Sequence, residues 1–254
     1  NVLQLLPGAG DVGAALTQDA RINGVIFTGS TEVAQLINCN LATREDSPVL
    51  IAETGGMNAM IVDSTALAEQ VCADVLNSAF DSAGQRCSAL RVLCVQEEVA
   101  DHMIAMIKGA MDEWRVGNPA LLNTDIGPVI SARAKQRVED LISSGVAEGA
   151  KLLLDGRGVQ VEGYEQGNFV GQTIFSQVTA GMRIYKEEIF GPVLAIICVD
   201  TLEEAIALVN ANPFGNGVGL FTQSGATARA FQHQINIGQV GINIPIPVPV
   251  PFFS

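Results

Sequence analysis

Short β-branched apolar runs alternate along this chain with longer stretches in which apolar residues recur every three or four positions. The first pattern suits strands buried in a sheet and the second suits amphipathic helices, so the alternation predicts an α/β fold. Val2–Leu6, Gly24–Phe27 and Pro48–Ala52 read as strands, with helical stretches at Val12–Thr17 and Glu32–Ala42, as in part of a doubly wound sheet. Ser64-Thr65 is expected to cap a helix running through Phe80, with Ala66, Leu67, Val71, Val75, Leu76 and Phe80 on its apolar face. A loop at Asp81–Cys87 follows, then a strand at Leu90–Val95, a helix from about Glu98 to Trp114 and another from about Ala132 to Glu148. Lys151–Leu154 and Val193–Val199 read as strands, and Thr201–Asn210 as a capped helix ended by Asn212-Pro213. In Ile244–Pro251 proline alternates with Ile or Val, which denies that segment a full ladder of N–H donors and predicts an extended surface or edge segment. No internal repeat is present.

Composition narrows the function more than the fold. With 254 residues, 48% of them hydrophobic, the chain has material for one large core or two smaller ones. Only 14 Lys and Arg stand against 27 Asp and Glu, a net charge of -13, which gives no electrostatic footprint for nucleic acid. The five cysteines are odd in number, form no C-x-x-C pair and mostly fall in apolar segments, as reduced thiols of a cytoplasmic protein would. No signal-peptide pattern opens the chain, and no apolar run is long enough to span a membrane. Asn1 starts directly in an apolar run and Ser254 follows two phenylalanines, which reads as a piece of a longer protein.

Five short segments have the makings of chemistry. Gly8-Ala9-Gly10-Asp11-Val12-Gly13 matches G-x-G-x-x-G, but the strand that follows lacks the acidic residue of that fingerprint and runs straight into Thr28-Gly29-Ser30, so a structural loop is the expectation. Phe27-Thr28-Gly29-Ser30-Thr31-Glu32 joins a strand end to a glycine and a hydroxyl N-cap, an arrangement whose helix amides suit an anion. Ile51-Ala52-Glu53-Thr54-Gly55-Gly56 places an acidic residue at a strand end, where partial desolvation would suit a general base. Gly84-Gln85-Arg86-Cys87-Ser88 holds the one cysteine in a polar loop, where a nearby helix end or Arg86 would favour the thiolate of a nucleophile, although a lone cysteine is more often inert than catalytic. Lys186-Glu187-Glu188-Ile189-Phe190-Gly191-Pro192 is a charged turn before a buried strand. His102 and His233 lie on helical segments far from Cys87 in sequence, so neither a Cys–His pair nor a metal site is expected.

Taken in order, F-T-G-S-T-E-V, E-T-G-G, G-Q-R-C and K-E-E-I-F-G-P-V resemble the aldehyde dehydrogenase superfamily. The resemblance implies part of a Rossmann-type nucleotide-binding domain, residues 1–52, and an α/β catalytic domain, residues 53–254. It further implies NAD as cofactor, with NADP as the alternative, a small aldehyde as substrate and homo-oligomers among full-length relatives. Cys87 would attack the aldehyde and Glu53 would activate the water that hydrolyses the resulting thioester. Gly29 and Ser30 would approach the pyrophosphate, the Thr54 carbonyl would place the carboxamide, Glu188 would hold the nicotinamide ribose and Phe190 would pack near the ring.

Within the superfamily two likenesses divide the chain. Up to about Pro128, Ala52–Asp63 and Ser78–Arg91 resemble the L-glutamate-γ-semialdehyde dehydrogenase domain of bifunctional proline-utilisation proteins. Beyond it, Gly167–Gly171, Gly225–Arg229 and Asn243–Pro249 resemble methylmalonate-semialdehyde dehydrogenase. The first class hydrolyses its thioester with a glutamate, and the second passes the acyl group to coenzyme A and lacks that glutamate. Glu53 therefore points to hydrolysis, and Ser88 to the substrate carboxylate. The family's asparagine donor to the oxyanion and its adenosine-ribose lysine would lie before Asn1. Loss of one oxyanion donor costs on the order of a hundredfold in rate, so weak activity or none is expected of this chain alone.

Overall fold

The structure is a computed structural model and describes residues 2–248. The chain divides into two compact units, Asn1–Gly55 and Gly56–Ser254.

The first unit runs α1 (Gly10–Gln18), β1 (Gly24–Thr28), α2 (Thr31–Ala42) and β2 (Val49–Glu53). The strands pair in parallel, from Gly24 opposite Val49 to Thr28 opposite Glu53, so the two strand ends that carry candidate residues lie side by side. Ala34, Ile37 and Leu41 recur at helical spacing along α2 and are buried. Val2–Leu6 forms no strand, contrary to its pattern: no neighbouring backbone offers it a ladder, and its apolar side chains lie exposed.

The second unit is built on a seven-stranded sheet. Its elements are β3 (Asn58–Val62), α3 (Ala68–Phe80), a 3-10 turn (Asp81–Gly84), β4 (Leu90–Gln96), α4 (Glu97–Met111) and α5 (Ala132–Ala147). There follow β5 (Lys151–Leu154), β6 (Thr173–Ser176), α6 (Arg183–Lys186), β7 (Val193–Val199), α7 (Leu202–Ala211), β8 (Gly217–Phe221), α8 (Gly225–Gln234) and β9 (Gln239–Ile242). The strand order is β5-β6-β7-β4-β3-β8-β9, and every pair is parallel except β5 with β6. Every residue of β3 and of β8 is buried, which is why these central strands carry no alternating signal.

α3 begins at Ala68, not at Ser64-Thr65. The Asp63 carboxylate accepts the Thr65 N–H at 2.7 Å and its hydroxyl at 2.6 Å, so residues 63–66 close into a turn before the helix starts. The expected surface segment after β9 is partly interior: Ile246 is buried and its N–H reaches Ser78 Oγ at 3.4 Å. Its last positions, Pro249, Val250 and Pro251, lie outside the described residues. Among the described residues no helix is long and apolar enough to cross a membrane, and no group of three or more His, Cys, Asp or Glu could hold a metal ion.

Because these strands run parallel, the segments that enter β3, β4, β7 and β8 arrive at one end of the sheet. Asn58, the loop before Leu90, Gly191-Pro192 and Asn216 all belong to these entries. The candidate chemistry of this unit is assembled there.

Candidate active site

The loop that carries Cys87 is shaped before the cysteine is reached. After α3 ends, Ser82, Ala83 and Gly84 adopt left-handed φ angles of 56°, 53° and 66°, which turns the chain sharply back towards β4. Gly84 has a second reason to be glycine, since a Cβ there would lie 2.1 Å from the Gly191 carbonyl oxygen. That close approach joins two of the segments singled out from sequence, Gly84–Ser88 and Lys186–Pro192.

Cys87 itself is half-buried. Its carbonyl oxygen accepts from Asn58 Nδ2 at 2.7 Å and from Asn216 Nδ2 at 3.0 Å. Asn58 is buried and fully used: Nδ2 also reaches the Ala89 carbonyl at 2.8 Å, and Oδ1 accepts the Gly217 N–H at 2.8 Å. The nucleophile loop is thus pinned to the ends of β3 and β8. Gly56 lies against the same carbonyl, where a Cβ would come within 2.6 Å of it. Ser88 follows Cys87 and is buried.

Glu188 lies near Arg91, which projects from β4. The Glu188 Oε1 accepts the Gly56 N–H at 3.1 Å and stands 3.8 Å from Arg91 Nη2, and the Glu188 carbonyl accepts from Arg137 Nη1 at 3.0 Å. Arg91 is 3% exposed. Its Nη1 donates to the carbonyls of Gly84 at 2.6 Å and Gly191 at 3.3 Å, and its Nη2 to that of Arg86 at 2.9 Å. Burial pulls the guanidinium down to about 10, with the Glu188 carboxylate opposing that pull. The Phe190 ring lies 5.5 Å from the guanidinium carbon and is 40% exposed.

Asn58, Arg91 and Asn216 have no role in the sequence reading. Two of them left a signal that could have been used, an asparagine opening the apolar run N-A-M-I-V and an arginine inside A-L-R-V-L-C-V. A polar side chain in a strand that is otherwise buried must find partners, and in this fold those partners are loop carbonyls. Asn216, with φ of 90°, sits in a short polar turn and carried no comparable signal.

The other thiols separate by burial. Cys72 and Cys94 are buried, and desolvation pushes both up, Cys94 to about 12. Cys39 and Cys198 are exposed, on α2 and β7, although their apolar surroundings in sequence suggested an interior place. Burial and the Glu97 and Asp101 carboxylates nevertheless push Cys198 up.

In the first unit the Gly29 N–H donates to the Glu53 carbonyl at 3.1 Å, tying the ends of β1 and β2 together. The Ser30 Oγ accepts the Val33 N–H at 3.3 Å and caps α2 as its sequence predicts. Thr54 is half-buried. Glu53 is exposed, so the partial desolvation expected from its place at the end of an apolar strand is not present: β2 itself lies largely exposed in the unit. The G-x-G-x-x-G match forms no phosphate loop, because α1 already begins at Gly10 and takes Gly13 into its body.

The largely parallel α/β sheet carries at one end of its strands a pinned cysteine loop and a buried arginine facing a half-buried glutamate. The chain belongs to the aldehyde dehydrogenase family, whose model matches residues 1–253. It is 49% identical over 251 residues to the bifunctional protein PutA of Klebsiella aerogenes, covering 95% of this chain and 19% of that protein. It is 45% identical over 233 residues to the acylating methylmalonate-semialdehyde/malonate-semialdehyde dehydrogenase of Bos taurus, covering 92% of this chain and 43% of that one. A Sinorhizobium meliloti protein named as a methylmalonate-semialdehyde dehydrogenase and solved with NAD superposes with a TM-score of 0.92 at 38% identity, over 96% of this chain and 49% of its own. Both resemblances read from the motifs are therefore found, and each alignment runs along nearly the whole chain rather than to one side of Pro128. The chain spans under half of the length of each of these relatives.

Proposed function

We propose that this chain carries the nucleophile, general base and part of the cofactor site of an NAD-dependent semialdehyde dehydrogenase that releases its product by hydrolysis. The observation that carries the reading is the Cys87 loop, held through its carbonyl by Asn58 and Asn216 and joined by Arg91 to the Glu188 segment. Such fixing serves a nucleophile that must meet a carbonyl carbon in one orientation.

The donor set suits a dinucleotide. One oxygen of Glu188 is oriented by the Gly56 N–H, and a carboxylate keeps further acceptor sites for a ribose diol. Gly29 and the Ser30 cap offer the positive end of α2 to a pyrophosphate. Phe190 offers an exposed ring for packing against a planar group, and Thr54 a backbone carbonyl for its carboxamide. NAD, or NADP in its place, would supply the hydride acceptor for oxidising the carbon once it is bound to Cys87. Cys87 contributes the thiolate that adds to the aldehyde and, after oxidation, carries the acyl group as a thioester. Glu53 takes a proton from the water that cleaves this thioester, and its exposure leaves it open to water.

L-Glutamate γ-semialdehyde is the preferred substrate in this reading, with Ser88 near its carboxylate. The PutA likeness and the presence of Glu53 both favour it over transfer to coenzyme A. The name of the bovine relative keeps the acylating route as the second reading. Calorimetric titration of NAD into the purified chain, followed by an aldehyde-dependent absorbance assay with and without coenzyme A, tests both. Turnover independent of coenzyme A, abolished by Cys87→Ser and reduced at least a hundredfold in the deacylation step by Glu53→Gln, is expected of hydrolysis. Turnover that needs coenzyme A would establish the acylating route. Neither binding nor turnover would show that this chain lacks the activity by itself.

A further inference from the structure

We infer that Arg91 is the positioning residue that holds the Glu188 carboxylate in place and locks it to the nucleophile loop. The inference rests on the proposed role of Glu188 in the cofactor site. Arg91 is a buried cation on a central strand, and it is not spent on a simple ion pair. Two of its nitrogens are directed at the Gly84, Arg86 and Gly191 carbonyls, which fixes the plane of the guanidinium. Once that plane is fixed, Nη2 stands 3.8 Å from Glu188 Oε1, the same oxygen that accepts the Gly56 N–H.

The separation is longer than a hydrogen bond, so Arg91 steers Glu188 by charge, while Gly56 supplies the directed contact. The ionisable groups facing Arg91 are Glu188, Arg86 and Cys87: the Glu188 carboxylate attracts it most, Arg86 repels it, and a Cys87 thiolate attracts it as well. Phe190, over the guanidinium face, belongs to the same turn as Glu188. One side chain therefore sets the positions of three features: the left-handed turn before Cys87, the Gly191 bend and the Glu188 carboxylate. A lysine at this position would keep the charge but could not reach the same carbonyls in one plane.

The test uses amide hydrogen exchange of the full chain by NMR, read at Gly56, together with NAD affinity in a double-mutant cycle. Arg91→Lys is expected to quicken Gly56 exchange about fivefold and Arg91→Met tenfold or more, with Ile61 and Leu93 in the sheet core unchanged. Arg91→Lys is expected to weaken NAD about tenfold in the parent chain but less than twofold in a Glu188→Gln background, because a residue acting through Glu188 has nothing left to position. Unaltered Gly56 exchange in the folded lysine variant overturns the inference. So does equal quickening at Gly56, Ile61 and Leu93, which marks a merely structural role, or an additive cycle. If Glu188→Gln leaves NAD affinity unchanged, the cofactor reading of Glu188 fails by itself, and Gly56 exchange still decides the role of Arg91.

Discussion

Asn58 shows how much of the site rests on one amide. Its three hydrogen bonds all lie in the buried end of β3 and reach three separate backbone groups. Asn58→Asp keeps the shape but turns a donor that faces two carbonyls into a buried carboxylate oxygen. The change should destabilise the second unit by roughly 3–5 kcal/mol, the range for breaking a buried charged or hydrogen-bonded network. An unfolding free energy from urea titration within about 1 kcal/mol of the parent would mean that the loop is held by other contacts. The thiols give a second test at this scale. With iodoacetamide at pH 8, Cys39 should label before Cys198 although both are exposed, because burial, with the Glu97 and Asp101 carboxylates, pushes Cys198 up and leaves it less thiolate. Raising the pH should close that gap, whereas Cys72 and Cys94 should label only on unfolding. A Cys87 that reacts more slowly than Cys198 at pH 8 would count against its proposed role. The sequence made Cys87 legible because it alone of the five cysteines falls in a polar loop. It did not make Asn58 or Arg91 legible as site residues, because their partners are backbone groups whose approach depends on the folded loops, the Gly191 and Gly217 groups among them from far along the chain.

At the scale of elements, the turn from α3 into β4 decides whether the two halves of the site meet. Gly84 combines a left-handed backbone with contact against the Gly191 carbonyl, so an alanine there meets both a conformational penalty and a clash. Gly84→Ala should destabilise the chain by about 2–4 kcal/mol and lower the NAD affinity, since the Glu188 segment must move with Gly191. Thermal unfolding and titration of the same sample check it, and a variant that melts with the parent would show that the contact is loose. The strands that the sequence revealed are those rich in β-branched and large aliphatic residues, with β5 and β7 found at their observed bounds. β8 and β9 escaped because glycines interrupt them, as in G-V-G-L-F and Q-V-G-I, and β3 and β6 went unread as well. In each case the neighbouring strand, not the local sequence, supplies the reason to be extended. Val2–Leu6 is the converse, a strand pattern left without a neighbour.

Across the whole molecule the two units differ in how much apolar surface they remove from water. The second buries both faces of its sheet and nearly all of the large aliphatic and aromatic side chains of β3, β4, β7 and β8. The first buries Ala34, Ile37 and Leu41 but leaves Ile26 82%, Leu36 65% and Val49 63% exposed. Hydrophobic burial scales with area removed from water, at about 25 cal/mol per Å², so the first unit has far less to hold its helices and two strands together. A two-stranded sheet with little covered area is marginal by itself. Amides of β1 and β2 should therefore exchange with deuterium at least a hundredfold faster than those of β4 and β7, which corresponds to an opening free energy lower by about 2.7 kcal/mol. Mass spectrometry on peptides from both units measures this directly. The difference bears on function because Gly29 and Ser30, the proposed pyrophosphate contacts, lie in the first unit. On the proposed reading, NAD binding must order the weaker unit, so saturating NAD should raise protection in β1, β2 and the start of α2 by tenfold or more and change β4 little. Equal protection of both units without NAD would refute the difference in stability. Protection by NAD confined to the second unit would remove Gly29 and Ser30 from the cofactor site.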